Sequence, residues 1–194
     1  DIDGDGLTDL AIGATGFSIG GSAIGATWVL TGERIISLLP RATPWADLTR
    51  PLPDDIHRFS SDDSPLDIRV EGRLAGELFG QTVLIASPRK GSFGALIVGS
   101  SASDSGGTPR AGAILVYPWT ESGLAPRPAL ALGGETLMPA TELGTSLALH
   151  EPSSVYAAPW LIVGAPVSRL LGLDEGAVLQ FPNVPTDWSF TGVP

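Results

Sequence analysis

A chain of 194 residues with 43% hydrophobic and 16% charged residues can bury a sizeable core and is not disordered by composition. Its net charge of −10 excludes nucleic acid and anionic membrane surfaces as partners, because both need a basic face that 11 scattered Lys and Arg residues do not form. The absence of cysteine excludes disulfides, thiolate nucleophiles and cysteine zinc sites, and no apolar run nears the roughly 18 residues of a membrane span.

The first element is the loop Asp1-Ile2-Asp3-Gly4-Asp5-Gly6-Leu7-Thr8-Asp9. Carboxylates at loop positions one, three, five and nine, with the Leu7 carbonyl, offer the six to eight oxygens that Ca²⁺ takes at roughly 2.3–2.6 Å, and Gly6 permits the sharp turn. Mg²⁺ fits less well, since it demands a stricter octahedron and keeps its waters. An EF-hand needs a bidentate Glu at position twelve and flanking helices; position twelve here is Ile12, in an apolar run that reads as a buried strand. A solvated acidic turn without metal is the other alternative, against which stands the mutual repulsion of the carboxylates.

Gly16-Phe17-Ser18-Ile19-Gly20 matches the serine nucleophile elbow, but no helix follows to cap such a turn, so a glycine-rich hairpin loop is expected before the strand around Ile24–Leu30. Residues 40–76 read as a long loop or insertion, with Pro44, Pro51, Pro53 and Pro65 among the acidic residues Asp54, Asp55, Asp62, Asp63 and Asp67. His57 and His150 stand in no zinc-binding spacing. Trp28, Trp119 and Trp160 belong to predicted strands and are expected in the core, whereas Trp45 and Trp188 lie in proline-containing segments and are better placed for contact.

The rest of the chain repeats itself. Ala95-Leu96-Ile97-Val98-Gly99-Ser100 recurs as Trp160-Leu161-Ile162-Val163-Gly164-Ala165, about 65 positions on. Phe79-Gly80-Gln81-Thr82-Val83 before the first copy matches Leu143-Gly144-Thr145-Ser146-Leu147 before the second, and Ala111-Gly112-Ala113-Ile114-Leu115-Val116-Tyr117 matches Glu175-Gly176-Ala177-Val178-Leu179-Gln180-Phe181. Asp9 to Ala14 with Ile24 to Leu30 reproduces the second and third elements only, so the first strand of that unit is expected upstream of Asp1. Together with 25 Gly and 17 Pro, this predicts an all-β fold: a partial β-propeller of about three blades, completed by sequence outside the fragment. The expected division is a blade over 1–39, the loop over 40–76, a second blade over 77–135, and a third blade with a tail over 136–194.

The series Phe79-Gly80, Leu96-Ile97-Val98-Gly99, Gly112 to Tyr117 and Val163-Gly164-Ala165-Pro166 resembles the FG-GAP repeats of integrin alpha-subunit propellers. The resemblance implies a calcium loop between the first two strands of some blades, at Asp1, Asp3, Asp5, the Leu7 carbonyl and Asp9. The later loops, around Ser87-Pro88-Arg89 and His150-Glu151-Pro152, lack the aspartates, which implies one calcium site. Within the family the chain is similar to the propellers of glycosylphosphatidylinositol-specific phospholipase D-like hydrolases. That likeness implies a calcium-stabilised, non-catalytic module of a secreted hydrolase, whose zinc-binding catalytic domain would precede Asp1. An integrin-like adhesion module with no enzymatic domain is the alternative. The implied partners are the remaining blades or another chain, and a protein or glycolipid ligand; the implied location is extracellular, where millimolar calcium fills loops of modest affinity. Any targeting segment is expected outside these residues.

Overall fold

The apolar runs become short antiparallel strands, and glycines mark the bends. The computed structural model describes residues 1–38, 68–88, 94–134, 141–150, 159–167 and 176–181. The first sheet has the order β1 (Leu10–Ala14), β4 (Ala26–Leu30), β5 (Ile68–Glu71), with the small hairpin of β2 (Ser18–Ile19) and β3 (Ser22–Ala23) rising between β1 and β4. The second runs β6 (Phe79–Ala86), β7 (Ala95–Ser100), β8 (Ala113–Thr120), β10 (Leu130–Gly133), with β9 (Gly123–Leu124) paired to the end of β8. The third is β11 (Ser146–His150), β12 (Trp160–Ala165), β13 (Ala177–Phe181). These sheets are stacked blades of a partial, all-β propeller.

The middle blade shows why the repeat reads as it does. All six residues of β7 are buried. Side chains alternate across a strand: Leu96 and Val98 face the first blade in a cluster with Ile2, Val29, Val70, Phe79 and Tyr117, whereas Ile97 faces the third blade with Ile114, Val116, Leu143, Leu161 and Val163. A strand buried on both faces must be apolar without alternation, which is the Ala-Leu-Ile-Val run of the sequence.

Blades approach each other backbone to backbone. A Cβ on Gly13 of β1 would overlap the Gly80 carbonyl of the second blade, and a Cβ on Gly99 of β7 would overlap the Gly144 carbonyl of the third. Glycine stands at both places because only a bare Cα lets the next blade's entering strand come that close. The Thr82 hydroxyl, on the same face as Gly99, donates to that Gly144 carbonyl at 2.7 Å.

Two expectations need correction. Residues 68–71 fall inside the stretch expected as loop, yet they form β5, pairing with β4 from Ala26↔Glu71 to Val29↔Ile68. The strand is hard to see in the sequence because Ile68-Arg69-Val70-Glu71 is half charged: Ile68 and Val70 face the second blade, while Arg69 and Glu71 face away and pair at 2.6 Å. Trp160, expected in the core, is 42% exposed on the outer face of β12. Trp28 does lie in the core, packed edge-to-face with Phe17 at 5.3 Å, with the Arg69 guanidinium 5.0 Å above the Phe17 ring. The short helix α1 (Gly32–Leu38) follows β4, where the repeat pattern signals no helix. Trp45, Trp188, His57 and the acidic run from Asp54 to Asp67 lie outside the described residues.

Candidate metal centre

Residues 1–9 wind into a tight coil because each early aspartate captures backbone N–H groups just ahead of it. Asp1 accepts from Gly4 at 2.7 Å and from Gly6 at 3.2 Å, Asp3 from Asp5 at 3.1 Å, and Asp5 from Leu7 at 2.7 Å. The bonds to Asp3 and Asp5, each from the residue two on, are Asx turns, while Asp1 reaches three and five residues on, and Gly4 and Gly6 supply the positive φ values, 82° and 85°, that the winding needs. The loop leads directly into β1, so the exit is a strand and not the second helix of an EF-hand.

The coil brings together Asp1, Asp3 and Asp9, one carboxylate oxygen from each lying within 4.8 Å of the others. Asp5 stands outside that group, and Leu7 packs its side chain against Gly32. Asp9 is the pivot of the arrangement. It is 8% exposed, and its two oxygens accept from Ile2 N–H and, at 2.7 Å, from Gly32 N–H at the start of α1. Desolvation raises the Asp3 pKa above its ordinary value, and the Asp9 and Asp5 carboxylates push the same way.

The donor set fits a hard cation. Two oxygens on one Ca²⁺ can stand no more than about 5 Å apart, twice the bond length, and the three carboxylates already satisfy that limit. An oxygen that accepts one N–H keeps a second lone pair for metal.

The loop also reaches its neighbour. Ile2 is fully buried in the cluster between the first two blades, its carbonyl accepts from Gly94 N–H at 2.9 Å, and Gly4 approaches Pro88 of the second blade. A segment that belongs in sequence to the first blade is thus anchored to both.

Ser18 sits at the exposed β2–β3 hairpin, its hydroxyl bound to the Gly16 carbonyl at 3.1 Å, with a strand where a nucleophile elbow has a helix. His150 is exposed at the end of β11. The sequence pattern points to the aspartates but misses Ile2, whose apolar side chain between two carboxylates is the available signal.

The family described as FG-GAP repeat matches residues 1–30, the loop with β1 and β4. The match supports the integrin alpha-type repeat in that blade, and it concerns the repeat alone, not the hydrolase likeness. No curated protein matches the chain. Among the described residues no helix is long and apolar enough to cross a membrane.

Proposed function

We propose that this chain is a calcium-stabilised, non-catalytic propeller module of an extracellular protein, which holds rigid loops in place for a partner. The observation that carries the reading is the convergence of Asp1, Asp3 and Asp9 on a coil whose Ile2 is locked into the core between two blades. Bound Ca²⁺ would offset the repulsion among these carboxylates. Asp9 would then hold the cation, the Ile2 amide and the start of α1 in one place. Stacked blades give their connecting loops a fixed spacing, and loops on a rigid scaffold are where binding is built.

Titrating calcium into metal-stripped protein, by calorimetry and by melting, tests the reading. A ligand specific to the native state adds about 2.7 kcal/mol at a hundred times its dissociation constant. An unchanged midpoint with no heat of binding removes calcium from the proposal.

The setting proposed for the module is a secreted hydrolase of the glycosylphosphatidylinositol-specific phospholipase D kind, with catalysis outside these residues and a glycolipid or protein as ligand. Its support is the pattern of a single aspartate-rich loop. The intact protein's sequence ahead of Asp1 decides it: a histidine- and aspartate-rich helical domain supports the hydrolase, and further blades support an adhesion module instead.

A further inference from the structure

We infer that α1 is the element the calcium site regulates: occupancy of Asp1, Asp3 and Asp9 fixes the first turn of this helix, and with it the direction in which the connection from β4 to β5 leaves the blade. The inference rests on the calcium reading above and names what the site controls.

A comparison of the first two blades carries it. The strand pair Leu10↔Leu30 corresponds to Leu96↔Tyr117, so Gly32 stands where the second blade has Trp119, and Asp9 where it has Ala95. In the second blade the Trp119 amide donates to the Gly94 backbone carbonyl at 2.9 Å, and β8 runs on to Thr120 and pairs with β9. In the first blade the Gly32 amide donates instead to an Asp9 carboxylate oxygen at 2.7 Å. The strand ends at Leu30 and the chain turns into α1. A side-chain oxygen, which Ala95 does not have, thus takes the place of a backbone carbonyl and releases the chain from the sheet.

The helix depends on that oxygen. The first amides of a helix have no acceptor within it; Ile35 closes the first turn on the Thr31 carbonyl at 2.9 Å, and Gly32, ahead of it, relies on Asp9. Seven residues are too few to hold a helix in water without outside support. Gly32 is also buried beneath the loop: a Cβ there would come within 2.3 Å of the Leu7 Cβ and 3.2 Å of the Thr8 carbonyl oxygen. The start of α1 is therefore held by Leu7 and Asp9, both residues of the calcium loop.

This makes the two events one equilibrium. Oxygens of Asp1, Asp3 and Asp9 lie within 4.8 Å of one another, and their repulsion works against the Asp9 position that the Gly32 amide needs. With the charge offset, Asp9 is held in that position. Reciprocity then requires that α1, once formed, raise the affinity for the cation by the same factor.

Calorimetric titration of calcium into the metal-stripped chain, together with amide exchange, tests the coupling. Calcium is expected to slow exchange at Gly32 and Ile35 by about fivefold or more beyond any change at Leu161 and Val163 in the third blade. Ile36→Pro breaks α1 from a side chain that is 58% exposed, because its ring meets the Gly32 carbonyl one turn back. It is expected to weaken calcium binding by about fivefold or more. Gly99→Ala, which strains the contact between the second and third blades, is expected to keep the unmutated affinity. Should Ile36→Pro fail to fold, Ile36→Gly weakens the helix through propensity alone and is expected to lower the affinity about twofold. Exchange at Gly32 and Ile35 no slower than in the third blade, full affinity in the folded α1 variant, or an equal loss in Gly99→Ala overturns the coupling while the heat of binding leaves the calcium site standing. No heat in the unmutated chain withdraws the calcium reading, and the coupling with it.

Discussion

Truncating Ile2 to Ala tests whether the acidic loop is a fastener between blades or an ornament on one of them. Ile2 is fully buried against Val29, Val70, Phe79, Leu96, Val98 and Tyr117, which come from both blades. The change deletes three carbons, about 2.4 kcal/mol of transfer free energy at ~0.8 kcal/mol each. A partly unrelaxed cavity adds to this, within the roughly 2–5 kcal/mol range of buried Ile-to-Ala changes. We expect a loss of about 3 kcal/mol, or a midpoint roughly 6–12 °C lower at the ~2–4 °C per kcal/mol typical of a chain this long. Urea and thermal melts of Ile2→Ala and of Ile19→Ala, at a side chain 48% exposed on the hairpin tip, give the comparison. The exposed change should stay within about 0.5 kcal/mol. Should both variants melt alike, Ile2 does not anchor the loop, and the loop cannot transmit metal binding to the blade contact.

Asp3→Ala should abolish the calcium-dependent rise in midpoint while leaving the metal-free protein at least as stable, since it removes an acidic group that desolvation and its neighbours already disfavour in the charged form; retention of the full calcium shift would refute the ligand role. Gly99→Ala should cost about 1–3 kcal/mol, measured by denaturant melts, because its methyl meets a backbone carbonyl that cannot rotate aside. Burial pushes the Tyr117 hydroxyl up to about 12. The unfolded chain ionises first, near its ordinary value of about 10, so stability is complete below pH ~10 and is lost as pH rises towards ~12, by about 2–3 kcal/mol. Tyr117→Phe should remove that contribution to the alkaline loss, and an identical pH profile in the variant would contradict the assignment.

Asp1, Asp3, Asp5 and Asp9 announce themselves because the acidic loop is local: neighbours in sequence are neighbours in space. The strand from Ala95 is equally legible, since burial on both faces demands an unbroken apolar run, and those from Leu10 and Trp160 are legible as copies of it. The repeat ties them together as blades, and with them the all-β class. Tertiary structure alone decided the rest. It separated Asp5 from the convergent three, made Asp9 the shared acceptor of Ile2 and Gly32, and added β5 to the first blade beside β4, with its charged half facing away from the neighbouring blade. It also left Trp160 exposed where a strand tryptophan was expected to be buried. Periodicity reports how a segment is buried, but not which surface buries it; that depends on contacts between residues far apart in sequence, such as Gly13 with Gly80 and Ile2 with Gly94, which exist only once the blades have stacked.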